Sequence, residues 1–157
     1  MNTTTRYINI ILSKLTLGPA HWFLRLPIAA IAFSYGMQKF ADLSAAEVYG
    51  LPVWLYFMSG VGELGGAIGL IVGGAIGQRF TPFINALGDL LTRLSGIGIA
   101  SVTAGVIVMI YWGPWVGWQF QSLILAAALF FALRGNDTWA QPKSNDEDVM
   151  LHVQPAE

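Results

Sequence analysis

The stretch Val53–Ile76, VWLYFMSGVGELGGAIGLIVGGAI, holds a single ionisable residue, Glu63, among positions that are otherwise apolar or small. Such a run is long enough to cross a bilayer, for which about 20 apolar residues suffice. Counted from Trp54, Glu63 falls roughly 13 Å along a helix rising about 1.5 Å per residue. That places a carboxylate near the middle of a hydrocarbon layer about 30 Å thick. Ionisable groups at such depth face a bundle interior or a wet cavity, find a partner there, and often mark sites.

Composition agrees with a membrane setting. Hydrophobic residues make up 55% of the 157 and charged residues 11%, against about a quarter charged in soluble domains. A formal net charge of −1 gives no reason to expect nucleic acid. The absence of cysteine excludes disulfides, thiol redox cycles and cysteine-ligated clusters within this chain.

Working outward, four spans are expected, at about 22–40, 53–76, 94–112 and 118–133. They make residues 21–134 an all-α, integral membrane four-helix bundle. Residues 1–20 precede it, with Tyr7, Ile8, Ile11, Leu12 and Leu15 at helical spacing, as expected of an amphipathic interfacial segment. Residues 135–157 are polar and acidic at Asp146-Glu147-Asp148, and read as a flexible tail. Thr81-Pro82 has the form of a helix start. The apolar stripe after it, with Asp89 and Arg93 spaced to pair, is either a surface helix or an extension of the third span bent near Gly96.

Charge sets the expected orientation. Arg6, Lys14, Arg25, Arg79, Arg93, Arg134 and Lys143 fall on one side of the four spans, Lys39 on the other. By the positive-inside rule both termini are cytoplasmic, in a multi-pass protein of a cytoplasmic (inner) membrane. Trp54, Trp112, Trp115 and Trp118 then form an outer aromatic belt.

On a helical wheel the second span has a bulky face of Val61, Leu64, Ile68, Ile71 and Val72, suited to lipid, and a small-residue face. Gly65, Gly69, Gly73 and Gly77 form a row that lets helices approach, a packing role. In the first span Arg25, Ala29, Ala32, Gly36 and Lys39 share one stripe. Lys39 is the natural counter-charge to Glu63, although it stands nearer the end of its span; its stem either reaches inward or extends to the headgroups. Gln38, with Gln119 and Gln121, adds polar groups at a similar level, as a small pocket or as headgroup contacts. His21 and His152 have no companions at metal-ligand spacing, and no metal site or catalytic motif is expected.

Gly36-Met37-Gln38-Lys39-Phe40 and Gly62-Glu63-Leu64-Gly65-Gly66, followed by Leu70, Gly73 and Arg79, resemble the DoxX family of small four-span bacterial membrane proteins. The resemblance extends from about Arg25 to Leu133, with the diagnostic residues in the first half. It implies a four-helix fold with both ends inside. It also implies association with membrane oxidoreductases, as in the small subunit of thiosulfate:quinone oxidoreductase or membrane partners of oxidative-stress enzymes. Carried over, Lys39 and Glu63 are the family-like polar residues. The expectation is an integral subunit of an oxidoreductase complex, not an enzyme alone, that handles quinone or protons alongside other membrane or peripheral subunits. It would hold no cofactor of its own beyond a quinone shared with those partners. The alternatives are a small-solute or ion carrier coupled through Glu63, and a scaffold subunit.

Overall fold

A computed structural model describes residues 20–76 and 81–136. The described residues form five helices and no strand: α1 (Ala20–Ala41), α2 (Ala45–Val48), α3 (Val53–Ile76), α4 (Pro82–Met109) and α5 (Trp115–Arg134). The expected interfacial segment, Gly77, Arg79 and the acidic tail from residue 137 lie outside the described residues.

Three helices, α3, α4 and α5, are long and apolar enough to cross a membrane. α1 has 22 residues, but Arg25, Gln38 and Lys39 interrupt its apolar run and it falls short of the other three. Phe83, Leu87, Leu90, Leu94 and Ile97 line one exposed stripe of α4, and Leu123 and Leu133 stand out from α5. Apolar surface of this extent suits contact with lipid.

The helices pack in chain order, α1 on α3, α3 on α4 and α4 on α5, with little direct contact between α1 and α5. Gly74 abuts Arg25 while Gly60 abuts Lys39, so α1 and α3 are antiparallel; so are α3 and α4, and α4 and α5. α1 therefore begins, and α5 ends, at the same end of the molecule.

The expected third span begins earlier than its apolar core, because α4 runs unbroken from Pro82 to Met109. Of the two readings of the 81–93 segment, the continuous extension is the one found. Thr81 enters with extended backbone and Pro82 occupies the first turn, where its missing N–H is harmless, although the Thr81 hydroxyl makes no cap bond. Gly96 does not end the helix. α5 starts at Trp115 rather than at residue 118, directly after Pro114. The short α2 was not expected; it follows a turn in which Asp42 accepts from the Ser44 hydroxyl at 2.5 Å and the Ser44 N–H at 3.0 Å. Those bonds hold the exposed Asp42 carboxyl below the usual carboxylate range.

The stripe read on α1 is its packing face: Arg25, Ala29, Ala32 and Gly36 are all buried. The glycine row on α3 needs correction. Gly69 and Gly73 face α4, but Gly65 is exposed with no atom within 4 Å of where a Cβ would stand. The row in contact with α4 is Gly62, Gly66, Gly69 and Gly73, which meet Val102, Ile99, Ser95 and Thr92. A strict four-residue step drifts about 40° around a helix of 3.6 residues per turn, whereas alternating four and three keeps to one face. The α4–α5 contact depends likewise on Gly96, which lies against the backbone of Ala128 and Ala132.

A polar node closes the end of the molecule where α1 begins. Arg25 is fully buried. Its Nη1 donates to Leu70 O and to Thr92 Oγ1 (3.2 Å), and its Nη2 donates to Asn136 Oδ1 (2.7 Å). The guanidinium also lies over the Phe131 ring, 4.8 Å from its centre. Asn136 Nδ2 donates to Gly73 O at 2.7 Å, and its backbone N–H donates to Asp89 Oδ1 at 2.6 Å. Asp89 and Arg93 form the expected pair at 2.7 Å, and Arg93 also donates to the terminal carbonyls of α5 at Leu133 and Arg134. Gly135 makes this possible: its φ of 66° folds the chain back, and a Cβ there would collide with Asp89. Gly135 and Asn136, the first two residues of the expected tail, therefore belong to the packed end, and the expected boundary is early by two residues.

Candidate functional site

At the opposite end lies a cavity of about 420 Å³. Its walls come from the four long helices, including Lys39 and Gln38 of α1, Glu63 of α3, Thr103 of α4 and Gln121 of α5. The volume falls within the roughly 300–1,000 Å³ common for small-molecule sites.

Glu63 reaches this space because the small residues around it let α1 come close. Gly60 lies against Lys39 Cβ and Phe40, and Gly36 lies against the backbone of α3 at Leu64. The Lys39 stem turns inward along that contact rather than outward. Its Nζ stands 2.8 Å from Glu63 Oε1, with both side chains largely buried. Nζ also sits 5.8 Å from the centre of the Tyr56 ring.

The contact is an ion pair at hydrogen-bond distance. Glu63 Oε2 has no hydrogen-bond partner among the described residues and is itself buried. Nearby hydroxyls are committed elsewhere: Ser59 donates to Tyr56 O at 2.7 Å and Thr103 to Ile99 O at 2.8 Å. Burying a polar group without a partner is unfavourable by about 1–3 kcal/mol, more when it is charged. The pair thus holds one buried carboxylate oxygen without a partner beside the cavity.

Gln38 lines the cavity and donates to Ser34 at 3.2 Å. Gln121 is also part of the wall, whereas Gln119 is exposed and not among the lining residues. Sequence reasoning missed the tyrosines. Tyr35, Tyr49, Tyr56 and Tyr111 all border the space, and the rings of Tyr49 and Tyr56 stack at 6.3 Å. Tyr49 lies after α2 and Tyr111 after α4, so only the folded loops reveal that they share a wall with Glu63. Their common position near span ends was the one available signal. Arg25 was read as part of a stripe, but its role as a buried node was not. Among the described residues no cluster of His, Asp and Glu suits a metal ion.

Fold and site together define an all-helical, membrane-suited protein with an ion pair at the wall of an amphipathic cavity. Comparisons with protein-family models, with curated proteins and with solved structures each found no match.

Proposed function

We propose that this chain is a multi-pass membrane subunit of a quinone-linked oxidoreductase or electron-transfer complex, in which the Lys39–Glu63 cavity handles the polar head of a membrane-dissolved ligand or the protons it exchanges. The observation that carries the reading is Glu63 Oε2, buried and without a partner at the cavity wall. A carboxylate serving packing alone is expected to have both oxygens met; here one buried acceptor beside the cavity has no partner among the described residues. Apolar and aromatic walls with a few convergent polar groups fit a lipophilic ligand better than a hydrated ion. The resemblance of the Gly36–Phe40 and Gly62–Gly66 segments to the DoxX family supports the same assignment.

In this reading α1 crosses as a fourth span of a bacterial inner-membrane bundle, its Arg25 hydrogen-bonded and its Lys39 ion-paired within the protein rather than exposed to lipid. The distribution of basic residues supports cytoplasmic ends. Purification from native membranes in mild detergent, followed by identification of co-purifying chains and extractable quinone, tests the assignment. A redox partner or quinone retained by the wild type and reduced in Glu63→Gln is expected. Recovery of the chain alone, with neither, refutes it.

A further inference from the structure

Four of the chain's five tyrosines, Tyr35, Tyr49, Tyr56 and Tyr111, border the cavity. The face of an aromatic ring carries partial negative charge and attracts a cation. Tyr56 is already used in that way: Lys39 Nζ stands 5.8 Å from its centre, and the residue is only 8% exposed. Tyr35, Tyr49 and Tyr111 are 38%, 48% and 40% exposed, so each keeps surface that a ligand can touch.

Charge points the same way. Among the described residues at this end, the carboxylates of Asp42, Glu47 and Glu63 stand against the one ammonium of Lys39, a net charge of −2. At the other end Arg25, Arg93 and Arg134 stand against Asp89, a net charge of +2. The cavity end therefore attracts cations and repels anions. Lys39 and Glu63 occupy one another, and Nζ and Oε2 are both buried, so the pair offers a ligand no direct hydrogen bond. A primary ammonium would bring three N–H donors that need acceptors. A quaternary ammonium brings none, and ring faces with a diffuse negative field are what it binds. Leu51, Leu55 and Val106 in the same wall supply apolar surface for a tail.

We propose that the cavity binds a quaternary ammonium head carried on an apolar tail, held by the rings of Tyr35, Tyr49 and Tyr111. Such a head belongs to a choline-type lipid or to a free cationic amphiphile. The proposal rests on the assignment of this cavity as a ligand site and needs neither a redox partner nor a quinone. Gly105 also lines the cavity, and a Cβ there would meet no atom within 4 Å. Gly105→Leu therefore adds a side chain at the wall without pushing the helices apart.

The test is calorimetric titration of the full chain in uncharged maltoside micelles, with empty micelles as blank. Three ligands share one short alkyl tail: a trimethylammonium head, the uncharged tert-butyl head of the same shape, and a sulfate head. The trimethylammonium compound is expected to bind about fivefold or more tighter than the tert-butyl compound, with the sulfate weakest. Replacing Tyr35, Tyr49 and Tyr111 together by Phe keeps the rings and should leave its affinity within about threefold of wild type; replacing all three by Leu should lower it about tenfold or more. Gly105→Leu should abolish binding. Displacement by a short-chain phosphatidylcholine assigns the head to a lipid, and its absence to a free amphiphile. Equal binding of the tert-butyl compound, or tighter sulfate, overturns the cation preference while leaving the cavity a ligand site. Undiminished binding in Gly105→Leu places the ligand elsewhere and overturns the proposal. Failure of all three to bind overturns both the proposal and the cavity's role as a ligand site, whereas co-purification from native membranes decides the redox assignment separately. Should the triple Leu variant not yield monodisperse protein, the wild-type discrimination and Gly105→Leu decide.

Discussion

Replacing Gly96 by alanine adds one methyl group, and the structure sets where it must go. The new Cβ would stand 2.4 Å from Ala132 N, 2.7 Å from Ala128 O and 2.9 Å from Ala132 Cα. All three are backbone atoms of α5, so no side-chain rotation relieves the clash. Restoring ordinary contact requires α4 and α5 to separate by about 1 Å, in an interior that yields little to such strain. Overpacking of this kind typically destabilises by about 1–3 kcal/mol, and an immovable backbone belongs at the upper end. Alanine recovers at most about 1 kcal/mol through its better helix propensity. The net loss is then about 2 kcal/mol, roughly a thirtyfold fall in the folded-to-unfolded ratio. The matched control is Gly65→Ala, whose Cβ meets nothing within 4 Å and which should stay within about 0.5 kcal/mol of wild type. Both variants can be followed by equilibrium unfolding in mixed micelles with tryptophan fluorescence as readout. A Gly96→Ala protein as stable as wild type, or a Gly65→Ala protein equally damaged, would refute the assignment of α3 and α4 faces.

Two further outcomes follow from the polar nodes. Removing only the cation by Lys39→Met leaves Glu63 buried without its counter-charge and should destabilise by about 3–5 kcal/mol, whereas Lys39→Met with Glu63→Gln should recover most of that loss. The same unfolding assay applied as a double-mutant cycle checks this, and additive losses would show that the pair is not coupled. Arg25→Lys keeps the charge but loses the fork that serves Leu70, Thr92 and Asn136 together. A loss of about 1–3 kcal/mol is expected, with protease cleavage near Asn136 becoming faster; unchanged stability and cleavage would remove Arg25 from the role assigned to it.

Periodicity and composition determined the helical content, the approximate helix positions and the buried stripe of α1 from Arg25 to Lys39, because those depend on which residue types recur at helical spacing. The Asp89–Arg93 pair was legible for the same reason: both residues lie on one helix, four positions apart. Tertiary structure alone decided which glycines touch a neighbour, since a shift of one position, from Gly65 to Gly66, turns a residue from the exposed surface to the packed interface. It also decided that Lys39 bends toward Glu63, that Arg25 binds Asn136 from far along the chain, and that tyrosines from two helices and two loops border one space. Those relations join positions distant in sequence, and their energies depend on distances of a few ångströms that no local pattern encodes.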